Sequence, residues 1–207
     1  MALWKNQFII GIDEVGRGCL AGPVVVAAVA LPMAVRCQAP SIKNKLRDSK
    51  KLTGKQREEW ARYIKNHPRI FYAVARCRPK TIDKINISQA ANRAAARALK
   101  KLWLMIGGGN VRNVLLDGGL YINNPTSIME HLDPQTIIKG DEKYNCVKLA
   151  SIVAKVCRDK FMKKIHKKYP EYGFNRHVGY GTKAHIRAIK KRGPCDLHRL
   201  TFLSGLV

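Results

Sequence analysis

The chain has 207 residues, of which 46% are hydrophobic, and this proportion supports a folded core and excludes wholesale disorder. Its 39 Lys and Arg residues outnumber 14 Asp and Glu residues, and the resulting formal net charge of +25 favours a polyanionic partner. No bilayer-spanning stretch, signal peptide or lipidation motif is found, and six scattered cysteines without a Cys-x-x-Cys pair disfavour zinc ligation and a disulfide framework. We therefore expect a cytoplasmic protein with no membrane partner.

The stretch FIIGIDEVGRGCLAGPVVVAAVAL, residues 8–31, predicts two buried strands that are joined through several glycines. Asp13 and Glu14 stand where the first strand ends. Adjacent side chains of a regular strand point to opposite faces, so these two acids can meet one ion only where the backbone turns at the strand end. Two interpretations of this dipeptide stay open, ordinary turn chemistry and a metal site.

A helix is predicted over residues 54–66, because Thr53 and Gln56 form a capping-box pattern. The loop before this helix carries Asp48, Ser49 and Lys50. Polar and basic residues at this position are typical of a solvated surface, but hydroxyl, ammonium and free N–H groups at a helix start also suit phosphate contact. The residues alone leave both interpretations open.

The rest of the chain alternates strand and helix patterns. In chain order these predict a strand over 69–77, an alanine-rich helix from 88, a strand over 111–119, a shorter strand over 136–141, a helix over 147–169 and a short basic helix capped by Thr182. Strands mixed with helices, beginning with a hairpin and showing no clear boundary, predict a layered α/β domain.

Three of the predicted strands end in acids beside glycine. These acids are Asp13 with Glu14, Asp117, and Asp141. Each alone is most simply a turn residue, but strand ends of one sheet converge, and four gathered carboxylates resist ionising together unless a cation is present. Oxygen ligands of this kind suit Mg²⁺ or Mn²⁺ better than zinc. Together with the basic composition, they point to hydrolysis of phosphodiesters.

Five blocks of the sequence resemble, in this order, the ribonuclease HII family. They are FIIGIDEVGRGCLAGP, LRDSKKLT, VLLDGG, KGDEKYNCVKLASIVAKVCRD and YPEYGFNRHVGYGTKAHIRAIKKRGPCDLHRLTF, and together they extend from Phe8 to Phe202. The resemblance implies an α/β ribonuclease H-like fold, a five-stranded mixed sheet flanked by helices. It also implies one catalytic domain over residues 1–207, with a helical C-terminal part from about residue 144.

The resemblance further implies a metal-dependent endoribonuclease that uses Mg²⁺ or Mn²⁺. Such an enzyme hydrolyses the RNA strand of RNA–DNA hybrids and cuts on the 5′ side of single ribonucleotides embedded in duplex DNA, leaving 5′-phosphate and 3′-hydroxyl ends. Its partners are accordingly RNA–DNA hybrids and DNA duplexes that contain ribonucleotides. We expect it to act as a monomer.

By the same resemblance, the family's residue roles fall on particular positions of this chain. The catalytic, metal-binding acids are Asp13, Glu14, Asp117 and Asp141, and the substrate-binding residues are Gly16, Arg17, Gly18, Asp48, Ser49, Lys50 and Tyr180. The glycine loop would read the 2′-hydroxyl, which alone distinguishes ribose from deoxyribose, through close backbone approach. The tyrosine would pack on the sugar, although a core aromatic at a turn is the alternative. The Asp48–Lys50 loop would contact phosphate without reading sequence.

The chain departs from the family pattern near these positions. Cys19 replaces a proline beside the glycine loop, Val178 replaces a lysine before Tyr180, and Lys148 and Leu149 replace small residues. These departures put substrate affinity in question and leave the acids unchanged.

Three other interpretations are weaker. The net charge alone would fit a non-catalytic basic nucleic-acid-binding protein. Ribonuclease HIII carries an additional N-terminal domain, whereas here the first acidic motif begins at once. Acid–base roles for His177, His185 and His198 are disfavoured, because a metal-bound water needs no histidine.

Overall fold

A computed structural model of the protein describes residues 7–35, 45–108, 110–122 and 132–206. Two parts of the sequence analysis concern residues outside these ranges. They are residues 1–6, on which the prediction of no signal peptide partly rests, and Cys37. The described strands are β1 (Phe8–Val15), β2 (Val24–Pro32), β3 (Phe71–Cys77), β4 (Val111–Asp117) and β5 (Pro134–Ile137). They form one five-stranded sheet in the order β3-β2-β1-β4-β5, which confirms the predicted mixed sheet.

The pairing of the strands brings the acid-bearing ends together. β1 and β2 form the predicted antiparallel hairpin, in which Asp13 is opposite Ala27. β1 also pairs with β4 in parallel, with Ile12 beside Leu116, so the residues that follow, Asp13 and Asp117, lie at the same end of the sheet. Parallel pairing therefore converts two acids that are more than a hundred residues apart into neighbours.

Helices cover both faces of the sheet. They are α1 (Gly54–Asn66), α2 (Pro79–Ile85), α3 (Ile87–Met105), α4 (Gly140–Lys143), α5 (Asn145–His166), α6 (Phe174–His177) and α7 (Lys183–Arg192). α3 packs on one face and α1 with α5 on the other. β2 is buried on both sides, so it reads as a continuous apolar run instead of alternating. Among the described residues, no helix is long and apolar enough to cross a membrane.

Small residues allow the two main helices to lie close to the sheet. On α3, Ala91, Ala94 and Ala98 recur at helical spacing and are all fully buried. On the opposite face, a Cβ atom at Gly11 of β1 would overlap the backbone of Cys146 at the start of α5. The absence of that side chain lets the first turn of α5 approach the strand that carries the first acids.

Most predicted elements match the structure. α1 has the predicted bounds, and its capping box is formed by Gln56 N donating to Thr53 Oγ1 at 3.3 Å and Thr53 N donating to Gln56 Oε1 at 2.8 Å. Thr182 caps α7, as predicted. The strand predicted over 136–141 is wrong at its end. β5 stops at Ile137, and Lys139 adopts a left-handed conformation (φ 56°) that starts α4.

Candidate active site

Four carboxylates gather at the C-terminal ends of β1 and β4. Asp13 and Asp141 are each 5% exposed, and the backbone N–H of Asp141 donates to Oδ1 of Asp117 at 3.3 Å. The backbone N–H of Glu14 donates to Oδ1 of Asp13 at 2.7 Å. The structure thus places these acids near one another, but two of the predicted positions are wrong. Asp13 and Glu14 lie inside β1, which continues to Val15 instead of ending before them, and Asp141 reaches the group from the start of α4 and not from a strand end.

Burial and the charges of neighbouring carboxylates raise the pKa values of Asp13, Glu14 and Asp117. Burial raises the pKa of Asp13 well above its ordinary range, and the negative charges of Glu14 and Asp117 raise it further, while a hydrogen bond with Ser151 opposes them. Burial also raises the pKa of Glu14 and that of Asp117, the latter assisted by the charge of Asp141. A cation among the carboxylates would remove this conflict.

The donor set fits a hard divalent cation. All four groups offer carboxylate oxygens, and within the described chain the buried Oε2 of Glu14 has no hydrogen-bond partner. However, across the described ranges no three His, Cys, Asp or Glu side chains are grouped as the ligands of one metal ion. Cations of the protein hold two of the acids: Arg17 Nη1 lies 3.4 Å from Glu14 Oε1, and Lys50 Nζ lies 3.3 Å from Asp141 Oδ2. Metal ligation by these acids therefore stays a prediction.

The loop before α1 is fastened to the acids. Asp48 accepts from the backbone N–H of Lys50 at 2.9 Å, and the buried hydroxyl of Ser49 is 2.7 Å from that of Ser151. Ser151 in turn hydrogen-bonds Asp13. Ser49 is only 5% exposed, whereas the Lys50 side chain is 80% exposed. Of the three residues in the predicted phosphate-binding loop, Lys50 is therefore the one whose side chain is open to a substrate.

Arg17 links the two acid-bearing strands to α3. Its guanidinium lies against Glu14 and also donates to the carbonyl of Gly119 at 3.1 Å and to the hydroxyl of Ser88 at 3.0 Å. Gly119 follows β4, and Ser88 lies in the first turn of α3. The side chain of Arg17 is thus engaged by the protein, which leaves the backbone of Gly16–Gly18 as the part of this loop that can approach a sugar.

Two buried arginines, which the sequence interpretation missed, hold the glycine loop. Arg199 donates to the carbonyls of Gly16 at 2.6 Å, Arg17 at 2.7 Å and Gly22 at 2.9 Å. Arg158 donates to the carbonyls of Ala21, Pro23 and Val178 at 2.8–3.0 Å, and its side chain occupies the space where a Cβ of Gly16 would lie. Charged hydrogen bonds of this kind fix the loop backbone.

A sequence signal existed for one of these arginines. Arg158 lies four residues after Ala154 and four before Met162, all fully buried on one face of α5, so the helical phase predicts that it points inward. Arg199 lies in a short irregular segment before a 3₁₀ turn, where no periodicity marks it.

Tyr180 is joined to the glycine loop and is not a core residue. It is 41% exposed, and cations flank its ring, with Lys155 Nζ at 5.8 Å and Arg158 Cζ at 5.9 Å from the ring centre. Cys19 lies beside its hydroxyl and hydrogen-bonds it. The backbone N–H of Leu20 donates to the carbonyl of Gly179 at 2.9 Å, so the tyrosine turn and the glycine loop form one hydrogen-bonded unit.

The three histidines form a packed cluster behind Tyr180. His177 and His185 stack at 4.3 Å between ring centres, and Nε2 of His185 lies 3.1 Å from Nε2 of His198. His185 and His198 are 0% and 3% exposed. Burial lowers the pKa values of all three. Their hydrogen bonds go to the protein backbone and to each other, which supports a structural role and not an acid–base one.

The other departures from the family pattern have simple structural consequences. Val178 adopts a left-handed conformation (φ 43°), which is strained for a β-branched residue, and its carbonyl accepts from Arg158. Leu149 is fully buried in the core between α5 and the sheet.

Comparisons with known proteins agree with this geometry. The family model described as Ribonuclease HII matches residues 10–204. A ribonuclease HII of Clostridium perfringens (strain SM101 / Type A) is 40% identical over 202 residues, which cover 97% of this chain and 68% of that protein. A ribonuclease HII of Caldicellulosiruptor saccharolyticus is 42% identical over 201 residues, which cover 97% and 89%.

Solved structures share the fold. The ribonuclease H2 of Pyrococcus horikoshii OT3 aligns with a TM-score of 0.68 at 25% identity, covering 96% of each chain. Bst-RNase HIII, solved in complex with Mn²⁺, aligns with a TM-score of 0.67 at 21% identity, covering 97% of this chain and 68% of that one. These structures confirm the predicted ribonuclease H-like fold. The chain belongs to the ribonuclease HII family and is an endoribonuclease.

Proposed function

We propose that this endoribonuclease hydrolyses the RNA strand of RNA–DNA hybrids and cuts on the 5′ side of single ribonucleotides in duplex DNA, leaving 5′-phosphate and 3′-hydroxyl ends. The observation that carries the proposal is the gathering of four carboxylates at the end of β1, in direct continuity with the glycine loop. Tyr180 is hydrogen-bonded to that loop through its neighbour Gly179. The groups proposed for cleavage and for ribose recognition would therefore lie side by side, because the glycine loop directly follows the strand that carries Asp13 and Glu14.

The acids Asp13, Glu14, Asp117 and Asp141 would hold Mg²⁺ or Mn²⁺, which would activate a water and stabilise the leaving oxygen. The negative charge that the four acids share, the raised pKa values of Asp13, Glu14 and Asp117, and the unsatisfied Oε2 of Glu14 support this role. A related fold, that of Bst-RNase HIII, was solved with Mn²⁺. Binding would require Arg17 and Lys50 to release Glu14 and Asp141.

The protein's own groups would position the substrate. The backbone of Gly16–Gly18, held from behind by Arg199, would hydrogen-bond the 2′-hydroxyl, and the exposed ring of Tyr180 would pack on the adjoining sugar. Lys50, freed from Asp141, would contact a phosphate. Because only a ribose offers the 2′-hydroxyl, these contacts would select the residue beside which cleavage occurs.

Cleavage mapping tests this proposal. A DNA duplex with one embedded ribonucleotide should be cut on its 5′ side when Mg²⁺ or Mn²⁺ is supplied, and an all-DNA duplex should stay intact. Asp13→Asn should abolish cleavage and leave duplex binding nearly unchanged. Asp133→Asn is the matched control, since this exposed acid precedes β5 at the opposite end of the sheet. Binding without cleavage by the wild-type protein would favour a non-catalytic nucleic-acid-binding protein.

The single-domain organisation, the monomeric state and the cytoplasmic location stay predictions. We propose that the chain acts as one catalytic unit without a second copy. Light scattering of the purified protein should give the mass of one chain, 23.3 kDa.

A further inference from the structure

A basic groove runs along the free edge of β3, between α3 and α5. It has a volume of about 650 Å³, and no carboxylate is among the described residues that line it. Its cationic lining residues, which define the β3-edge groove, are Arg76, Arg78, Arg93, Arg97 and Lys101. All five are exposed. An adjoining cavity of about 680 Å³ shares Arg76 and Arg78 and adds Lys80 and Lys168, with Asp196 as its acidic member.

Among the residues that the structure describes, no carboxylate neutralises the positive charges of the groove. Throughout the described part of the chain, carboxylates form ion pairs only with Arg17, Lys50 and Lys155, none of which lines the groove. Arg76 lies over the ring of Phe161, with Cζ at 5.3 Å from its centre. Five like charges in one groove repel one another, so the groove is suited to an anionic ligand with several charges.

The groove is not arranged to accept an added β-strand. An edge strand recruits another strand through its unpaired backbone groups. On β3, however, Arg97 donates to the carbonyl of Arg76 at 2.6 Å, and Lys101 lies 3.5 Å from the carbonyl of Val74. These two side chains cover acceptors that a peptide would need, while the charges of Arg78 and Arg93 stay available.

The groove and the acids lie at the same end of the sheet. Arg76 pairs with Val25, which pairs with Val15, the residue after Glu14. Two strand spacings separate β3 from β1, which places the row of Arg76 about 10 Å from the acid-bearing strand. A duplex held at the acids is wider than this distance, so its phosphate backbone can reach the groove. Binding to a flat membrane surface would not require the groove and the acids to lie at the same end of the sheet.

We propose that the β3-edge groove binds the phosphate backbone of the duplex that flanks the cleavage site. The inference rests on the proposed function for its choice of duplex. Contacts of this kind position the substrate without reading its sequence, and they release counterions, so they weaken as salt increases.

The test compares two double variants in binding to an all-DNA duplex, which needs no cleavage. Arg78→Gln with Arg93→Gln removes two charges from the groove. Arg69→Gln with Arg112→Gln is the matched control, since these exposed arginines lie at the opposite end of the sheet. Fluorescence anisotropy at several salt concentrations should show several-fold weaker binding for the groove variant and a slope of log K against log salt that is smaller by about 2.

Three outcomes would overturn the inference. They are an unchanged duplex affinity and slope in the groove variant, equal losses of duplex affinity in both double variants, and a groove variant that binds the duplex normally but loses binding to vesicles of anionic phospholipid. Cleavage mapping is read separately. If the wild type cuts the ribonucleotide-containing duplex and the groove variant binds normally, only the groove inference fails. If the wild type never cuts but the groove variant loses duplex affinity, only the proposed function fails.

Discussion

The buried pair His185–His198 leads to a quantitative prediction about the pH dependence of folding. A carbonyl oxygen only accepts, so His185 donates from Nδ1 to the carbonyl of Tyr180 at 2.9 Å and presents an unprotonated Nε2. His198 donates to that atom from its own Nε2 at 3.1 Å, and its Nδ1 accepts from the backbone N–H of Cys195 at 2.9 Å. Each ring is thus neutral, and an added proton would set two N–H groups against each other.

The size of the effect follows from the pKa of His185. Burial lowers this pKa from 6.5 to about 4; the hydrogen bond to Tyr180 opposes the shift, and the charges of His177 and His198 add to it. At about 1.4 kcal/mol per pH unit, this gap corresponds to about 3 kcal/mol of unfolding free energy. The unfolded chain takes up the proton at higher pH than the folded chain. The stabilisation is therefore complete above pH 6.5 and is lost as the pH falls from 6.5 to about 4.

Urea unfolding at two pH values measures this effect. Between about pH 7 and pH 4.5, the unfolding free energy of the wild type should fall by about 2 kcal/mol more than that of His185→Gln, which has no titrating ring at this position. His67→Gln, at the partly buried end of α1, should behave much more like the wild type. Equal pH dependence in wild type and His185→Gln, or an NMR titration of His185 near 6.5, would refute the reasoning.

Three further substitutions test the site. In metal-free buffer above neutral pH, Asp117→Asn should raise the melting temperature, because burial and the charge of Asp141 raise the pKa of Asp117, so that its ionised form destabilises the fold. In scanning fluorimetry, Mn²⁺ should then raise the melting temperature of this variant less than that of the wild type. An equal rise in both proteins would argue against a ligand role for Asp117. Tyr180→Phe should retain most of the kcat/KM for an embedded ribonucleotide, whereas Tyr180→Ala should lose about tenfold or more, and equal rates for all three proteins would remove the packing role. Arg199→Gln should lower the free energy of unfolding, measured in urea, by about 3 kcal/mol, because the carbonyls of Gly16 and Gly22 lose a charged donor. A decrease below about 1 kcal/mol would contradict the role of Arg199 in holding the glycine loop.

Local patterns predicted the elements whose causes are local. The capping box of Thr53 and Gln56 set the start of α1, because its two hydrogen bonds close within four residues. The convergence of Asp13 and Asp117 was predictable, because acids at the ends of neighbouring parallel strands must meet. Asp141 was predicted at a strand end, but it lies beside Asp117 at the start of α4, because the left-handed turn at Lys139 left no mark in the apolar pattern.

Contacts between distant parts of the chain were the ones missed. Arg199 reaches the carbonyl of Gly16 across 183 residues, and Arg158 reaches Ala21 across 137. The spacing of residues in a single sequence does not indicate contacts over such distances. Because 39 of the 207 residues are Lys or Arg, the sequence also does not distinguish two buried arginines from the many exposed basic residues. Only the helical phase of α5 distinguishes Arg158 from its neighbours.

The same contacts explain why recognition and cleavage can be coupled in a protein of this size. β1 ends at Val15, and the glycine loop begins at the next residue, so the backbone that would read a ribose is attached directly to the strand carrying Asp13. The position of that loop is set from the other side by Arg158 and Arg199, which come from the C-terminal part of the chain. A rigid loop between two anchors has one geometry relative to the acids. A nucleotide without a 2′-hydroxyl would then leave the loop's polar backbone groups unpaired. The binding energy of these contacts would no longer be available to stabilise the transition state at the reacting phosphate.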